Sequence, residues 1–256
     1  QQACDITEKG FRRILNFIKP SVWEYEIEAE LVHEFIINRS KGFAYTPIIA
    51  AGNNANVLHY IENNQQCKAG DLILLDVAAE YANYKSDLTR TVPVSGKFTD
   101  RQKAVYNAVN TVKKEATKLL VPGAYWEQYH EEVGKLMTSE LLGLGLLDKA
   151  DVQHEDKDWP AYKKYFMHGT SHSLGLDVHD VGTNESGESF RKFKVGMVTT
   201  VEPGIYIRKN DRIDPKYWNI GIRIEDDVLV TKDGNHILSE AAIKNVDDIE
   251  LLMSHR

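Results

Sequence analysis

Apolar residues recur at Phe11, Ile14, Leu15 and Ile18, the spacing of one helical face, and predict a helix over 6–18 closed by Pro20. Ser21 stands where a helix cap belongs, with Glu24 at the reciprocal capping-box position, so a second helix is expected through 26–40. Residues 42–58 read as loop and strand. The apolar run 72–78, preceded by Ala69-Gly70-Asp71, reads as a buried strand, and 88–94 as its partner. Thr99 caps a long helix to about residue 120, stopped by Pro122-Gly123. A further helix over 125–142 ends at Gly143 and Gly145. The polar stretch 148–165 is expected as loop, 198–207 and 220–231 as strands, and the chain from 240 as a closing segment.

Helices alternating with strand pairs point to an α+β fold. The first half offers two helices and then a strand pair carrying Asp76 and Asp87. The second offers a helix and then a strand pair carrying Glu202 and Glu225. Two such halves, each supplying two carboxylates, would face a shared central site. The 256 residues suffice for a sizeable core in one large domain or two small ones. A 42% apolar, 27% charged composition excludes disorder, collagen and a disulfide scaffold. The net charge of -7 gives no support to nucleic-acid or acidic-membrane binding, and no apolar run is long enough to span a membrane. Two isolated cysteines, Cys4 and Cys67, fit a reducing, cytoplasmic compartment. The chain opens inside a helical pattern without Met or signal peptide, as a fragment of something longer would.

The carboxylates are the anomaly. Asp76 lies within the apolar run Leu74-Leu75-Asp76-Val77-Ala78, and Asp87 opens the next strand. A turn centred near Tyr81-Ala82 would place the two opposite each other, with Cβ atoms about 5 Å apart. Like charges buried there are tolerable only with a cation or proton between them; a turn-capping Asp and a surface Asp remain the plainer alternative. Glu202 ends a second apolar strand before Pro203-Gly204, and Arg223 and Glu225 share one face of another. His168, His172 and His179, three of nine histidines, share one Gly-containing stretch, and His59 follows an apolar pair. No phosphate loop, nucleophile elbow or zinc-protease helix motif is present.

These segments resemble the pita-bread metallopeptidase family, in its aminopeptidase P and prolidase branch. The likeness lies in Val57-Leu58-His59-Tyr60, Leu75-Asp76, Ser86-Asp87-Leu88-Thr89-Arg90-Thr91, His168 through His179, Val201-Glu202-Pro203-Gly204-Ile205-Tyr206 and Gly221-Ile222-Arg223-Ile224-Glu225-Asp226. The resemblance implies an α+β pita-bread fold with two pseudo-symmetric halves and a curved, mostly antiparallel sheet flanked by helices. It implies a two-metal centre held by Asp76, Asp87, His172, Glu202 and Glu225. Asp87 and Glu225 would bridge the metals, Asp76 would complete one site, and His172 with Glu202 the other. Four carboxylates then balance two divalent cations, most suitably Mn²⁺, with Co²⁺, Fe²⁺ or Zn²⁺ as other occupants.

The implied reaction is hydrolysis of an N-terminal Xaa-Pro bond by a hydroxide bridging the metals. Glu202 would carry the proton, and His168 and His179 would contact the substrate carbonyl. His59 would stand near the leaving group, Arg223 would orient carboxylates and Tyr206 would line the site. The expected partner is a peptide with Pro at the second position, and a homodimer is expected of the full-length protein. One pita-bread catalytic domain would fill 1–256, without the N-terminal domain its relatives usually carry. Three alternatives stay open: a prolidase acting on Xaa-Pro dipeptides, a metal-free creatinase-like enzyme, and a non-catalytic peptide- or protein-binding module. The complete ligand set argues against the last two.

Overall fold

The computed structural model describes residues 1–181, 192–210 and 213–255. Helix α1 (Gln2–Phe17) begins earlier than its pattern predicts and buries Ile6, Phe11, Ile14 and Leu15. Helix α2 (Glu24–Ile37) packs against it at Gly10, where an added Cβ would stand 2.7 Å from the Phe35 ring. Ser21 does not cap α2. It takes a left-handed φ of 76°, and Trp23 becomes the N-cap, its N–H received by the Glu26 carboxylate at 2.7 Å. Glu24 is drawn inward instead, where its fully buried carboxylate receives donors from the last residue of the first strand and from the chain after it.

That strand, β1 (Ile48–Ala51), pairs with β2 (Leu72–Asp76), and β2 pairs with β5 (Thr89–Pro93). Between them β3 (Glu80–Tyr81) and β4 (Tyr84–Lys85) carry the same register to the hairpin tip. The tip is Ala82-Asn83, with φ of 53° and 72°, as a tight hairpin turn requires. This is one residue beyond the expected turn, which shifts the pairing by two. Asp76 therefore faces Thr89 and lies diagonal to Asp87 instead of opposite it. A two-residue shift keeps both acids on one face, because side chains alternate with period two.

Helices α3 (Asp100–Leu119) and α4 (Trp126–Gly143) follow. Thr99 caps α3 as expected, exchanging hydrogen bonds with Gln102. The polar stretch expected as loop contains α5 (Lys149–Gln153) and a 3-10 turn at Ala161–Lys164. Reciprocal bonds between Asp148 and Asp151 start α5.

The second half is built on another long ribbon. Strand β6 (Val198–Val201) pairs with β9 (Asp226–Thr231), and β7 (Gly204–Ile207) with β8 (Ile220–Arg223). The expected strands 198–207 and 220–231 are thus each interrupted once, at Glu202-Pro203 and at Ile224-Glu225. The register holds across the gap: Val201 faces Asp226 before it and Gly204 faces Arg223 after it. Glu202 consequently faces Glu225, and neither backbone N–H stays in the ribbon. Glu202 donates to Thr170 O at 2.9 Å and Glu225 to Thr89 O at 3.1 Å.

Strand β10 (Gly234–Ile237) and helix α6 (Val246–Ser254) complete the chain. Sheets β1-β2-β5 and β10-β9-β6 are both three-stranded and antiparallel, the two halves anticipated from sequence. The two halves of the chain meet where β5 abuts β8 of the β7-β8 pair, with Thr91 Oγ1 bonded to both backbone groups of Arg223. The main core joins α1, α2, α3 and the inner sheet faces around Ile14, Leu31, Phe35, Ile73, Val92 and Val109. A smaller apolar cluster of Ile48, Ala50, Ala55, Tyr60, Leu74 and Tyr206 lies apart from it.

Candidate metal centre

Each acid of the site stands where a strand ends or breaks: Asp76 closes β2, Asp87 precedes β5, Glu202 follows β6 and Glu225 joins β8 to β9. Strand interiors have their backbone groups committed to the ladder. At these ends the backbone is free to turn a carboxylate inward. The four face a cavity of 530 Å³, which is also lined by His59, His168, His172, His179 and Arg223.

Asp87, His172 and Glu225 each offer a ligand atom, and all three lie within 4.8 Å of one another. His172 Nε2 is 3.3 Å from Asp87 and 3.4 Å from Glu202. Its Nδ1 lies 3.1 Å from the Ser173 carbonyl, which requires a proton on that nitrogen. With Nδ1 committed to that carbonyl, Nε2 is the nitrogen that can give up its proton and offer a lone pair on the carboxylate side, the tautomer a metal-binding imidazole needs.

The electrostatics describe a site short of positive charge. Burial, then Asp87 and Glu202, lift the Glu225 carboxyl well above the ordinary carboxylate range. Burial likewise raises Asp87, against the pull of His172. Burial lifts Glu202 to about 7, although His172 and Arg223 oppose the rise. Burial alone would lower His172, but Asp87 and Glu202 outweigh it and push the imidazole up to about 9. Crowded carboxyls of this kind need protons or cations, and an oxygen-rich set with one imidazole suits divalent metal ions.

Arg223 is the one fixed cation that reaches the acids among the described lining residues. It donates to Asp76 Oδ2 at 2.5 Å, to Thr89 Oγ1 at 3.2 Å and to the Tyr206 hydroxyl at 2.8 Å. Thr89 Oγ1 in turn donates to Glu225 Oε2 at 2.6 Å. The Tyr206 hydroxyl reaches His168 Nε2 at 2.8 Å, and His168 Nδ1 sits 2.8 Å from the Gly169 carbonyl. Burial, reinforced by Arg223, drops His168 to about 3, so its ring is neutral and Nε2 accepts. His179 stacks edge-on against His172, ring centres 4.4 Å apart, and is also lowered by burial and by that neighbour.

Of the residues expected from sequence, Tyr206 alone fails to line the cavity. It is 1% exposed and stands behind the wall, because β7 turns it into the small apolar cluster. Asp76 is brought to the same cavity, but with Tyr45 on one oxygen at 2.6 Å and Arg223 on the other. Tyr45 was not anticipated: its loop, Phe43-Ala44-Tyr45-Thr46-Pro47, has no periodicity to flag it. The apolar lining residues Ile48, Leu58, Ile61 and Val178 were equally unanticipated.

Residues 1–232 match the family model for metallopeptidase family M24. The chain belongs to that family. It is 44% identical over 254 residues to the Xaa-Pro aminopeptidase of Haemophilus influenzae, covering 99% of this chain and 58% of that protein. Its fold matches the structure of Pseudomonas aeruginosa aminopeptidase PepP with a TM-score of 0.93 at 41% identity, covering 99% of this chain and 57% of that one. Proline aminopeptidase P II from Yersinia pestis gives 0.90 at 40% identity, covering 99% and 58%. The chain therefore spans somewhat more than half the length of these relatives. Their likeness carries the pita-bread fold with it: two antiparallel halves flanked by helices. M24 membership implies divalent metal ions, which the donor set fits. No described helix is long and apolar enough to cross a membrane.

Proposed function

We propose that this chain is the catalytic domain of a metal-dependent aminopeptidase that hydrolyses the N-terminal Xaa-Pro bond of peptides. The observation that carries this reading is the convergence of Asp87, His172 and Glu225 on one point, with Glu202 3.4 Å from the same imidazole nitrogen. Asp87 and Glu225 would be shared by the two ions, Asp76 would complete one site, and His172 with Glu202 the other. Manganese is the preferred occupant, since hard oxygen donors dominate. Two divalent ions there would polarise the scissile carbonyl and make a nucleophile of water near neutral pH.

The remaining work falls to side chains. Glu202, held above the usual carboxylate range, takes the water's proton and returns it to the leaving nitrogen. His168 and His179 line the cavity beside it and present imidazoles to the substrate carbonyl. Arg223 fixes Asp76 directly and Glu225 through Thr89. Ile48, Leu58, Ile61 and Val178 give the cavity apolar wall suited to a pyrrolidine ring, and a proline nitrogen in the scissile bond needs no acceptor because it carries no hydrogen. Two free, buried thiols accord with a cytoplasmic setting. A homodimer of the full-length protein is carried over from the family resemblance alone.

Metal titration followed by peptide-length profiling tests the reading. The manganese-loaded chain is expected to bind two metals and to cleave Xaa-Pro-Xaa tripeptides faster than Xaa-Pro dipeptides. Cleavage of dipeptides alone would make it a prolidase. Absence of bound metal and of cleavage would leave a peptide-binding module.

A further inference from the structure

Glu24 is among the buried acids that the reaction scheme leaves without a task. Glu24, on the first turn of α2, is fully buried, and among the described residues it pairs with no Lys, Arg or His. Its carboxylate is saturated by four donors from one stretch of chain. Oε1 receives the Ala51 N–H at 2.8 Å and the Asn54 amide at 3.3 Å. Oε2 receives the Tyr60 hydroxyl at 2.8 Å and the Gln65 N–H at 2.9 Å. The Glu24 N–H also donates to Gln65 O at 2.9 Å.

The same stretch is fastened a second time through Asn63. Its Oδ1 accepts from Ile49 N at 3.0 Å, while its Nδ2 donates at 3.0 Å to Pro47 O and to Glu28 on α2. Between these two anchors lies His59, exposed at the cavity rim and with no hydrogen-bond partner among the described residues. Only its backbone decides where the imidazole stands. The next residue, Tyr60, packs in the small cluster with Tyr206, whose hydroxyl holds His168.

We infer that Glu24 is the positioning residue for His59: its carboxylate clamps residues 51–65 onto α2 and thereby sets one wall of the substrate cavity. The chemistry of the pocket demands an acceptor on both oxygens, because all four neighbours donate. A glutamine would turn an NH₂ group toward two of those donors, leaving buried groups unpaired at about the same volume. The clamp rests on geometry alone; its catalytic consequence rests on the proposed aminopeptidase activity.

Two readouts on the manganese-loaded chain separate these. In Glu24→Gln, amide exchange over 51–65 should quicken about tenfold or more while β2 and β5 keep their protection. For cleavage of an Xaa-Pro peptide, Glu24→Gln should lower kcat/KM about tenfold, but less than about twofold further in a His59→Ala background. Should Glu24→Gln not fold, Tyr60→Phe removes one donor, keeps the ring and should quicken the same exchange about threefold. Unchanged exchange over 51–65, uniform loosening of the whole chain, or equal kinetic losses with and without His59 would overturn the assignment. A wild-type chain that cleaves no such peptide would overturn the proposed activity, and the exchange result would still decide the clamp.

Discussion

Glu225 and Asp226 are adjacent in sequence, both buried, and electrostatically opposite. Glu225 faces Asp87 and Glu202 and has a threonine hydroxyl for company, so its carboxyl rises far above the ordinary range. Asp226, on the other face of the ribbon, is gripped by Arg90 at 2.7 Å, Lys244 at 3.1 Å and Lys113. Burial would raise it too, but Arg90, Lys113 and Lys244 outweigh burial and hold it far below that range. Burial of a carboxylate therefore says little by itself. What separates the functional acid from the structural one is whether the fold supplies its counter-charge. Behind the ribbon it does, in excess; Lys113, buried with two other cations beside it, is depressed to about 8 despite its contact with Asp226. In front it does not, and a metal must.

Asp87→Asn breaks the front face most severely. Turnover of an Xaa-Pro peptide should fall by about 10³-fold or more, since the variant would lose the ligand proposed to be shared by both metals. The metal-free variant should nevertheless melt no lower than the metal-free parent, because a like charge has left a crowded site. Calorimetric metal titration and thermal melts by circular dichroism check both halves. Near-normal rates would refute the bridging role, and a large fall in melting temperature would refute the idea that the front face is strained by repulsion.

Asp226→Asn should do the reverse. Removing the one buried counter-ion of Arg90, Lys113 and Lys244 should cost about 3–5 kcal/mol, roughly 10 °C for a chain of this size. Added divalent metal should not replace the lost stability beyond the increment it gives the parent. Arg90 also donates to the Glu225 carbonyl, so some activity should be lost as well, in proportion to local disorder and not to charge. A melting temperature within about 2 °C of the parent would mean that the two faces do not differ as described.

These contrasts show why the site was legible in the sequence and its supports were not. An acid inside or at the end of an apolar strand contradicts its surroundings, and Asp76, Glu202 and Glu225 carry that contradiction locally, whereas Asp87, beside Lys85 and Ser86, stands out only through its pairing with Asp76 and the family resemblance. Their alignment was misjudged by one turn residue, because Ala82 gives no hint that it will adopt a left-handed conformation. The break at Glu202 was marked by Pro203-Gly204, whereas the one at Glu225 was hidden: strand-forming residues stand on both sides, and the hydrogen bond from Glu225 to Thr89 shows where the ladder is interrupted. Lys113 lies in a long helix whose lysines read as solvated, yet it is 1% exposed beneath Asp226. Glu24 had the spacing of a capping residue and was drawn inside by donors 27 to 41 positions away. Long-range partnership of this kind leaves no periodic trace.

Tyr45→Phe makes the gentlest cut and sharpens the division within the front face itself. The hydroxyl donates to Asp76 Oδ1 at 2.6 Å, short enough for a charge-assisted bond, while Arg223 holds the other oxygen. Losing it leaves the carboxylate anchored on one side and free to swing about that contact. Partners of this type are worth about 10–100-fold in metal affinity, and with Arg223 still in place the lower end, about tenfold, is expected. Asp76 is assigned to one site only, so the loss should fall on one of two metal-binding steps and leave the other within about twofold. A loss shared equally by both steps would mean that Asp76 serves the whole carboxylate cluster, and Arg223 would then be acting as its common counter-charge instead of as the anchor of one ligand.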